Sequence, residues 1–167
     1  MTARKVMLLG EIGVGKSSLV KRLVFDRFET DYKPTLGVDV YRYEVPAGGD
    51  RPAMTLIIWD TDGNFGDAMF RHIYMKEASA AFIIGDVTRR DTLDTMLSLS
   101  KGFREHFPGR YEGLIVNKMD LVEDNALSLP AELSANRVGV FHTSALTGDN
   151  VIAAFHDAAA AISRRRL

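Results

Sequence analysis

Runs of consecutive apolar residues alternate along this chain with apolar residues spaced three or four positions apart. The runs, which are typical of buried strands, fall at 6–9, 56–59, 78–85, 114–116 and 138–141. The helically spaced positions predict helices around 19–24, 70–74, 93–107, 130–135 and 151–162. Strands that alternate with helices in this way indicate an α/β fold, in which a mostly parallel sheet carries helices on both faces.

One further predicted strand differs from the others. Residues 38–45 carry charged side chains among apolar ones, as an edge strand does, whereas the run at 56–59 is apolar throughout and should lie inside the sheet. We therefore predict six strands, five parallel and one antiparallel at the edge, flanked by about five helices. The length fits a single domain of residues 1–167. Asp91 is the predicted N-cap of the helix at 93–107.

The composition narrows the classes of function. Of the 167 residues, 46% are hydrophobic and 26% are charged, as in ordinary soluble domains, and the net charge is −1. Without a concentrated positive patch, the chain is not expected to bind nucleic acid. The lack of cysteine excludes disulfides, thiolate metal sites, a cysteine nucleophile and a lipid anchor on cysteine. No secretory or membrane-spanning run is evident, so we expect a cytoplasmic protein.

A glycine-rich segment at residues 10–17 fits the pattern G-x-x-x-x-G-K-[ST] between a predicted strand and a predicted helix. Its glycines let the chain bend tightly and bring backbone N–H groups against a polyphosphate, and the helix N-terminus adds a favourable dipole. Lys16 supplies positive charge for the β- and γ-phosphates, and Ser17 a hydroxyl for Mg²⁺. The candidate phosphate-binding residues are Glu11, Ile12, Gly13, Val14, Gly15, Lys16, Ser17 and Ser18.

Two more polar segments, at 117–120 and 143–146, follow predicted strands and suggest a site for the base. A carboxylate at Asp120 can accept hydrogen bonds from the N1–H and the N2 amine of guanine, whereas adenine offers neither donor. Lys118 can lay its aliphatic stem along the base. The candidate base-binding residues are Asn117, Lys118, Asp120, Leu121, Ser144, Ala145 and Leu146.

The polar segments that begin at Gly10, Asp60, Asn117 and Thr143 each follow a predicted strand. Because ligands of open α/β sheets bind beyond the carboxyl ends of the strands, we expect these segments to meet over one ligand. A P-loop ATPase or kinase is an alternative interpretation of the glycine-rich loop, and the carboxylate of Asp120 argues against it.

The chain also carries motifs in the order and spacing of a known group of proteins. Besides the phosphate loop, they are Tyr32-Lys33-Pro34-Thr35-Leu36-Gly37-Val38-Asp39, Trp59-Asp60-Thr61 followed by Gly63, Asn117 with Asp120, and Ser144-Ala145-Leu146. Over nearly its whole length the chain resembles the Ras-like small GTPases, and among them it looks most like the Rab branch. The resemblance implies a P-loop G domain that binds GTP and GDP, uses Mg²⁺ as its cofactor and recruits effectors in the GTP state.

The resemblance assigns roles to residues around the phosphates. Thr35 is implied to ligate Mg²⁺ and to contact the γ-phosphate, while Ser17 binds the metal and Asp60 holds it through water. The N–H of Gly63 is implied to meet the γ-phosphate. The resemblance therefore implies Ser17, Thr35 and Asp60 as the metal-binding residues, and it counts Lys16, Thr35 and Gly63 among the catalytic ones.

The resemblance also implies a base contact and protein partners. Phe28 is implied to pack edge-on to the guanine, and Tyr32 to lie at the nucleotide. Effectors, exchange factors and GTPase-activating proteins are expected to bind through two switch regions, about 30–40 and 60–76. The implied apolar contact positions are Val40, Trp59 and Tyr74. We expect a monomer without a lipid anchor, so that contact with membranes is indirect.

Two residues depart from the family pattern and bear on the rate of hydrolysis. Asn64 stands where the family places the glutamine that orients the attacking water, and its side chain is one methylene shorter. A misplacement of about 1 Å can cost roughly a hundredfold in rate. Ile12 adds a branched side chain where an arginine finger approaches. The implied catalytic residues are Lys16, Thr35, Gly63 and Asn64. The departures favour a slow GTPase; the alternative is an interaction module that binds nucleotide with effectively no hydrolysis.

Overall fold

The computed structural model describes residues 2–29, 37–61, 76–123, 128–134 and 137–167. Its strands are β1 (Thr2–Leu9), β2 (Val38–Val45), β3 (Met54–Thr61), β4 (Ala80–Asp86), β5 (Tyr111–Asn117) and β6 (Val140–His142). They form one six-stranded sheet in the order β2-β3-β1-β4-β5-β6. This order places the carboxyl ends of β1, β4 and β5 side by side, as the predicted convergence of the polar segments requires.

The strand directions confirm the predicted sheet. β2 pairs with β3 in antiparallel fashion, from Val38 opposite Thr61 to Val45 opposite Met54, and every other pairing is parallel. β2 lies at the edge because its charged side chains are solvent-exposed. The exposed charges are those of Asp39, Arg42 and Glu44. β3 lies inside the sheet, between β2 and β1.

Three α-helices lie in the described ranges, which is fewer than the predicted number of about five. They are α1 (Lys16–Phe25), α2 (Arg90–His106) and α3 (Val151–Arg165). The helix predicted around 130–135 is a short 3-10 helix, Ala131–Leu133, and a second 3-10 helix spans Met119–Leu121. The helix predicted around 70–74 falls outside the described residues.

The hydrophobic core has two layers, one on each face of the sheet. Alternate residues of each inner strand point to opposite faces, so that Phe82 packs on one side and Ile83 on the other. The layer under α1 and α3 contains Phe82 and Phe155, whose ring centroids are 4.7 Å apart. The layer under α2 contains Met96 and Phe103. This arrangement is the α/β sandwich that the alternation of strands and helices predicts.

The structure corrects the predicted start of α2. The N-cap position is occupied by Arg89, and Asp91 lies in the first turn instead. The hydroxyl of Thr92 accepts a hydrogen bond from the Asp86 N–H (2.9 Å) and donates one to the carbonyl of Arg89 (2.7 Å). These two bonds close the turn after β4, so that the helix begins one residue after Arg89. The prediction of Asp91 as the cap was therefore wrong.

Two predicted apolar positions are exposed. Ile152, placed on the buried stripe of the last helix, is 55% exposed, because α3 packs through small residues such as Ala154 and Ala158. Val138 was predicted to begin the sixth strand, but it is fully exposed and precedes the strand. Gly139, with φ of 81°, turns the chain between Val138 and β6 in a conformation that favours glycine.

We predict that Gly113→Ala destabilises the fold by about 1–3 kcal/mol through overpacking. A Cβ at this position would lie 2.4 Å from Cε1 of Phe82, and that ring is held against Phe155 in the core. Urea denaturation measures the loss in free energy of unfolding. Gly48→Ala is the control, because its Cβ would only touch Arg51 at 3.6 Å. Equal urea concentrations at the midpoint of unfolding for the two variants would contradict the prediction.

Candidate nucleotide-binding site

The phosphate loop, residues 10–17, packs closely against β4 and against Asn117 at the carboxyl end of β5. Gly10, Gly13 and Gly15 have positive φ angles of 150°, 77° and 104°. A Cβ at Gly10 would lie 2.3 Å from the Ile84 carbonyl oxygen, and one at Gly15 would lie 2.3 Å from Nδ2 of Asn117. The first and third glycines are therefore required both by the backbone conformation and by the close approach of neighbouring strands.

The carbonyl oxygens of the phosphate loop, from Gly10 to Gly15, all accept hydrogen bonds from the protein. Lys16 Nζ donates to the carbonyls of Gly10 (2.8 Å) and Glu11 (2.9 Å). Arg89 Nη2 donates to Ile12 (2.8 Å), and Lys118 Nζ donates to Gly13 (2.7 Å). Asn117 Nδ2 donates to Val14 (3.0 Å), and the backbone N–H of Leu19 donates to Gly15 (2.9 Å). Carbonyl oxygens that accept these hydrogen bonds repel an anion less strongly, so the loop can present its N–H groups to phosphate.

Asp60 and Ser17 form the candidate metal site. Asp60 is fully buried at the end of β3, and the hydroxyl of Ser17 donates a hydrogen bond to its Oδ2. Among the described residues, the other oxygen, Oδ1, has no hydrogen-bond partner. Burial raises the pKa of Asp60, although Ser17 and the charge of Lys16 act in the opposite direction. A buried carboxylate oxygen beside a hydroxyl is the donor set that Mg²⁺ prefers, so these residues fit the ion.

Asn117 joins the phosphate loop to the segment after β6. Its side chain is 1% exposed at the carboxyl end of β5. The amide nitrogen donates to the Val14 carbonyl at 3.0 Å, while the amide oxygen accepts from the Thr143 hydroxyl at 2.9 Å and from the Ala145 N–H at 3.3 Å. One buried side chain therefore fixes the relative positions of three loops.

Asp120 and Ser144 meet beside the phosphate loop, as the predicted base site requires. The hydroxyl of Ser144 donates to Oδ1 of Asp120 at 2.7 Å, which orients the carboxylate. Asp120 itself is exposed and so is accessible to a ligand. Exposed apolar side chains lie next to these two residues in the sequence, with Leu121 62% and Leu146 48% exposed. Lys118, in a left-handed conformation, turns its ammonium group back to the phosphate loop.

Asp86 and Arg89 belong to the site although the sequence did not single them out. Asp86, at the end of β4, is 2% exposed and accepts hydrogen bonds from the N–H (2.8 Å) and hydroxyl (2.6 Å) of Thr88. Its Oδ2 also contacts Lys118 (2.9 Å) and Arg89 (3.2 Å). Burial tends to raise the pKa of Asp86, but the bonds from Thr88 and Lys118 outweigh it and lower the pKa. In the sequence, Asp86 could have been identified by its position, because it is a charged residue directly after an apolar run.

Several predicted residues lie outside the described residues. They are Tyr32, Thr35, Gly63, Asn64 and Tyr74. Of the implied apolar contact positions, Val40 is 53% exposed. Trp59 lies just before the second switch region, and the Lys5 ammonium lies 3.9 Å from the centroid of its ring. Phe28 is 37% exposed.

A profile of the Ras family matches residues 5–164 of the chain. The chain belongs to the Ras family. Three relatives show how similar other members are. Ras-related protein Rab-31 of Rattus norvegicus is 35% identical over 151 residues, which cover 88% of this chain and 76% of that protein. Ras-related protein Rab-32 of Mus musculus is 32% identical over 88% of this chain and 70% of its own length. The Ypt/Rab-type GTPase YPT7 of Saccharomyces cerevisiae is 32% identical over 93% of this chain and 79% of its own length.

These relatives confirm the resemblance to Rab-type members of the Ras family. The matched span contains the phosphate loop, Asp60, Asn117, Asp120 and Ser144, which are the residues that the geometry relates to one another. Within the described ranges, this Ras-family chain has no helix with the length and apolar character of a membrane span.

We predict that Asn117→Ala lowers the free energy of unfolding by on the order of 3 kcal/mol, because it leaves buried groups of the phosphate loop and of the segment after β6 without partners. Chemical denaturation after removal of bound small molecules measures the loss. Thr147→Ala serves as the control, since its exposed hydroxyl only accepts one hydrogen bond from Asp149 N–H. A loss below about 1 kcal/mol for Asn117→Ala would show that the amide does not hold the loops together.

Proposed function

We propose that the chain is a guanine-nucleotide switch that binds GTP and GDP with Mg²⁺, hydrolyses GTP slowly and recruits effectors in its GTP state. The observation that carries this proposal is the meeting of three loops on Asn117. Its bonds to Val14 and Ala145 place the phosphate loop next to the residues proposed to read the base. Membership of the Ras family and the similarity to a Rab-type GTPase support the same assignment.

The proposed base site selects guanine through Asp120. Its carboxylate, oriented by the Ser144 hydroxyl, accepts hydrogen bonds from N1–H and the N2 amine. Adenine would leave the same carboxylate facing a ring acceptor, which costs free energy. The stem of Lys118 and the aromatic ring of Phe28 supply apolar contacts to the two sides of the base.

The proposed phosphate site uses the loop N–H groups and the charge of Lys16, which is 6% exposed. Ser17 and Asp60 would hold Mg²⁺ together with Thr35, which lies outside the described residues. When bound, the ion neutralises charge on the β- and γ-phosphates. Thr35 and Gly63 report the presence of the γ-phosphate and so couple hydrolysis to the shape of the two switch regions.

The proposed hydrolysis depends on how well Asn64 orients water. In-line attack on the γ-phosphate needs a side chain that accepts from the water, and Lys16 and Gly63 stabilise charge on the phosphate oxygens. The shorter amide of Asn64 places this water less well than glutamine would. Ile12, which is 37% exposed, narrows the approach for an arginine supplied by an activating protein.

The proposed partners bind at the switch regions. Val40 and Trp59 offer an apolar surface that effectors, exchange factors and activating proteins can use together with Tyr74. We propose that the protein acts as a monomer in the cytoplasm, that it reaches membranes only through protein partners, and that it binds no nucleic acid.

We predict that Asp120→Asn weakens GDP and GTP binding by about a hundredfold, through the loss of hydrogen bonds to a charged acceptor. Binding of xanthine nucleotides should improve, because their 2-oxo group accepts from the new amide. Competition titration against labelled GDP measures both effects. Asp149→Asn, an exposed carboxylate on the loop after Ser144, is the matched control. Unchanged guanine affinity for Asp120→Asn would remove the proposed basis of selectivity.

Identification of the nucleotide released on denaturation, followed by single-turnover phosphate release, tests the proposed function. We expect released guanine nucleotide and an intrinsic rate no faster than ~10⁻⁴ s⁻¹, as in unaided Ras-type domains. An adenine nucleotide would contradict the assignment of Asp120. A protein that binds GTP and never releases phosphate would be the interaction module instead.

We predict that Asn64→Gln raises this rate, because the longer side chain returns the amide to the position of the attacking water. In the double variant that also carries Ile12→Gly, the increase in the logarithm of the rate should exceed the sum of the increases in the two single variants, as expected for sites in contact. Phosphate release from preloaded GTP is compared for the wild type, both single variants and the double variant. Four rates within about twofold, a barrier difference of ~0.4 kcal/mol, would show that neither residue governs hydrolysis.

A further inference from the structure

Arg89 connects a buried carboxylate to the backbone of the phosphate loop. Its Nε lies 3.2 Å from Oδ2 of Asp86, and its Nη2 donates to the Ile12 carbonyl at 2.8 Å. Asp86 is 2% exposed and is itself fixed by the N–H and hydroxyl of Thr88. The guanidinium is therefore held by a buried, hydrogen-bonded carboxylate on one side and contacts the backbone of the glycine-rich loop on the other.

The contact of Arg89 complements the other bonds to the loop. Lys118, which shares Oδ2 of Asp86, donates to the next carbonyl, that of Gly13. Asp86 thus anchors two cations that hold two successive carbonyls of the phosphate loop. On the same side, Thr95 of α2 donates a hydrogen bond to the carboxylate of Glu11. The start of α2 is tied to the loop at two consecutive residues, Glu11 and Ile12.

We propose that Arg89 is a positioning residue that holds the phosphate loop in the conformation that receives nucleotide and thereby slows nucleotide release. This inference rests on the proposed binding of guanine nucleotide. Arg89 acts through the Ile12 carbonyl, so it contributes to binding by keeping the loop pre-organised.

The chemistry of the guanidinium suits this role. Arginine presents several N–H donors in a rigid plane, so one group can bond a carboxylate and a carbonyl at the same time in fixed geometry. The neighbouring Arg90 has no such role, because its side chain is exposed and its ion pair is a distant one, 3.7 Å, with Asp94 one helical turn away. The two adjacent arginines therefore carry the same charge but differ in their contacts.

The test compares Arg89→Met, Arg89→Lys and Arg90→Met with the wild type by release of a fluorescent GDP and of a fluorescent, non-hydrolysable GTP analogue. We expect Arg89→Met to release both nucleotides about three- to tenfold faster, as the loss of one partly exposed hydrogen bond predicts. Both release rates should rise, because the loop binds the phosphates that GDP and GTP share. Arg89→Lys should fall between Arg89→Met and the wild type, and Arg90→Met should match the wild type.

The outcomes separate this inference from the proposed function. Release rates that agree within about 1.5-fold for Arg89→Met and Arg90→Met would overturn the role of Arg89. Faster release of the GTP analogue with unchanged release of GDP would also overturn it, since that result would place the action at the switch regions. If Arg89→Met does not fold, a rate for Arg89→Lys equal to that of the wild type would overturn it. Failure of the wild type and of Arg90→Met to bind guanine nucleotide would refute the proposed function itself.

Discussion

The phosphate loop can serve an anionic ligand only while the protein holds its carbonyl oxygens. In this chain the donors come from places far apart in the sequence: Lys16 within the loop, Arg89 after β4, and Asn117 and Lys118 after β5. The site therefore depends on the sheet, because only the order β1-β4-β5 brings these strand ends together. The clash that a Cβ at Gly10 would make with the Ile84 carbonyl shows how closely the loop and β4 approach.

The buried polar groups of the site differ in how well the protein itself satisfies them. Asn117 uses both atoms of its amide, and Asp86 is bonded by Thr88 and by two cations. These groups hold the fold together with or without a ligand. Asp60 differs, because one of its buried oxygens has no hydrogen-bond partner among the described residues. A buried carboxylate oxygen without a partner costs free energy, so the proposed Mg²⁺ would stabilise the fold by binding there.

A second unsatisfied oxygen shows that position decides how such a group is interpreted. Oε2 of Glu112 is also buried without a hydrogen bond in the described part of the chain, but it lies on β5 under α2, 4.0 Å from Arg104. It has a structural counter-charge in Arg104. Asp60 lies at the carboxyl end of β3, beside Ser17 and the phosphate loop, where ligands of such sheets bind.

The sequence by itself predicted which segments form strands, which strand lies at the edge, and which residues make up the glycine-rich loop after β1. These features are local, because periodicity and motif spacing record burial and backbone conformation within a few residues. Only the tertiary structure decided that Ile152 is exposed and that Arg89 holds the carbonyl of Ile12. That contact joins residues 77 positions apart, and no local pattern marks it. Its physical basis is the order of the strands and the buried charge of Asp86, both of which exist only in the folded chain.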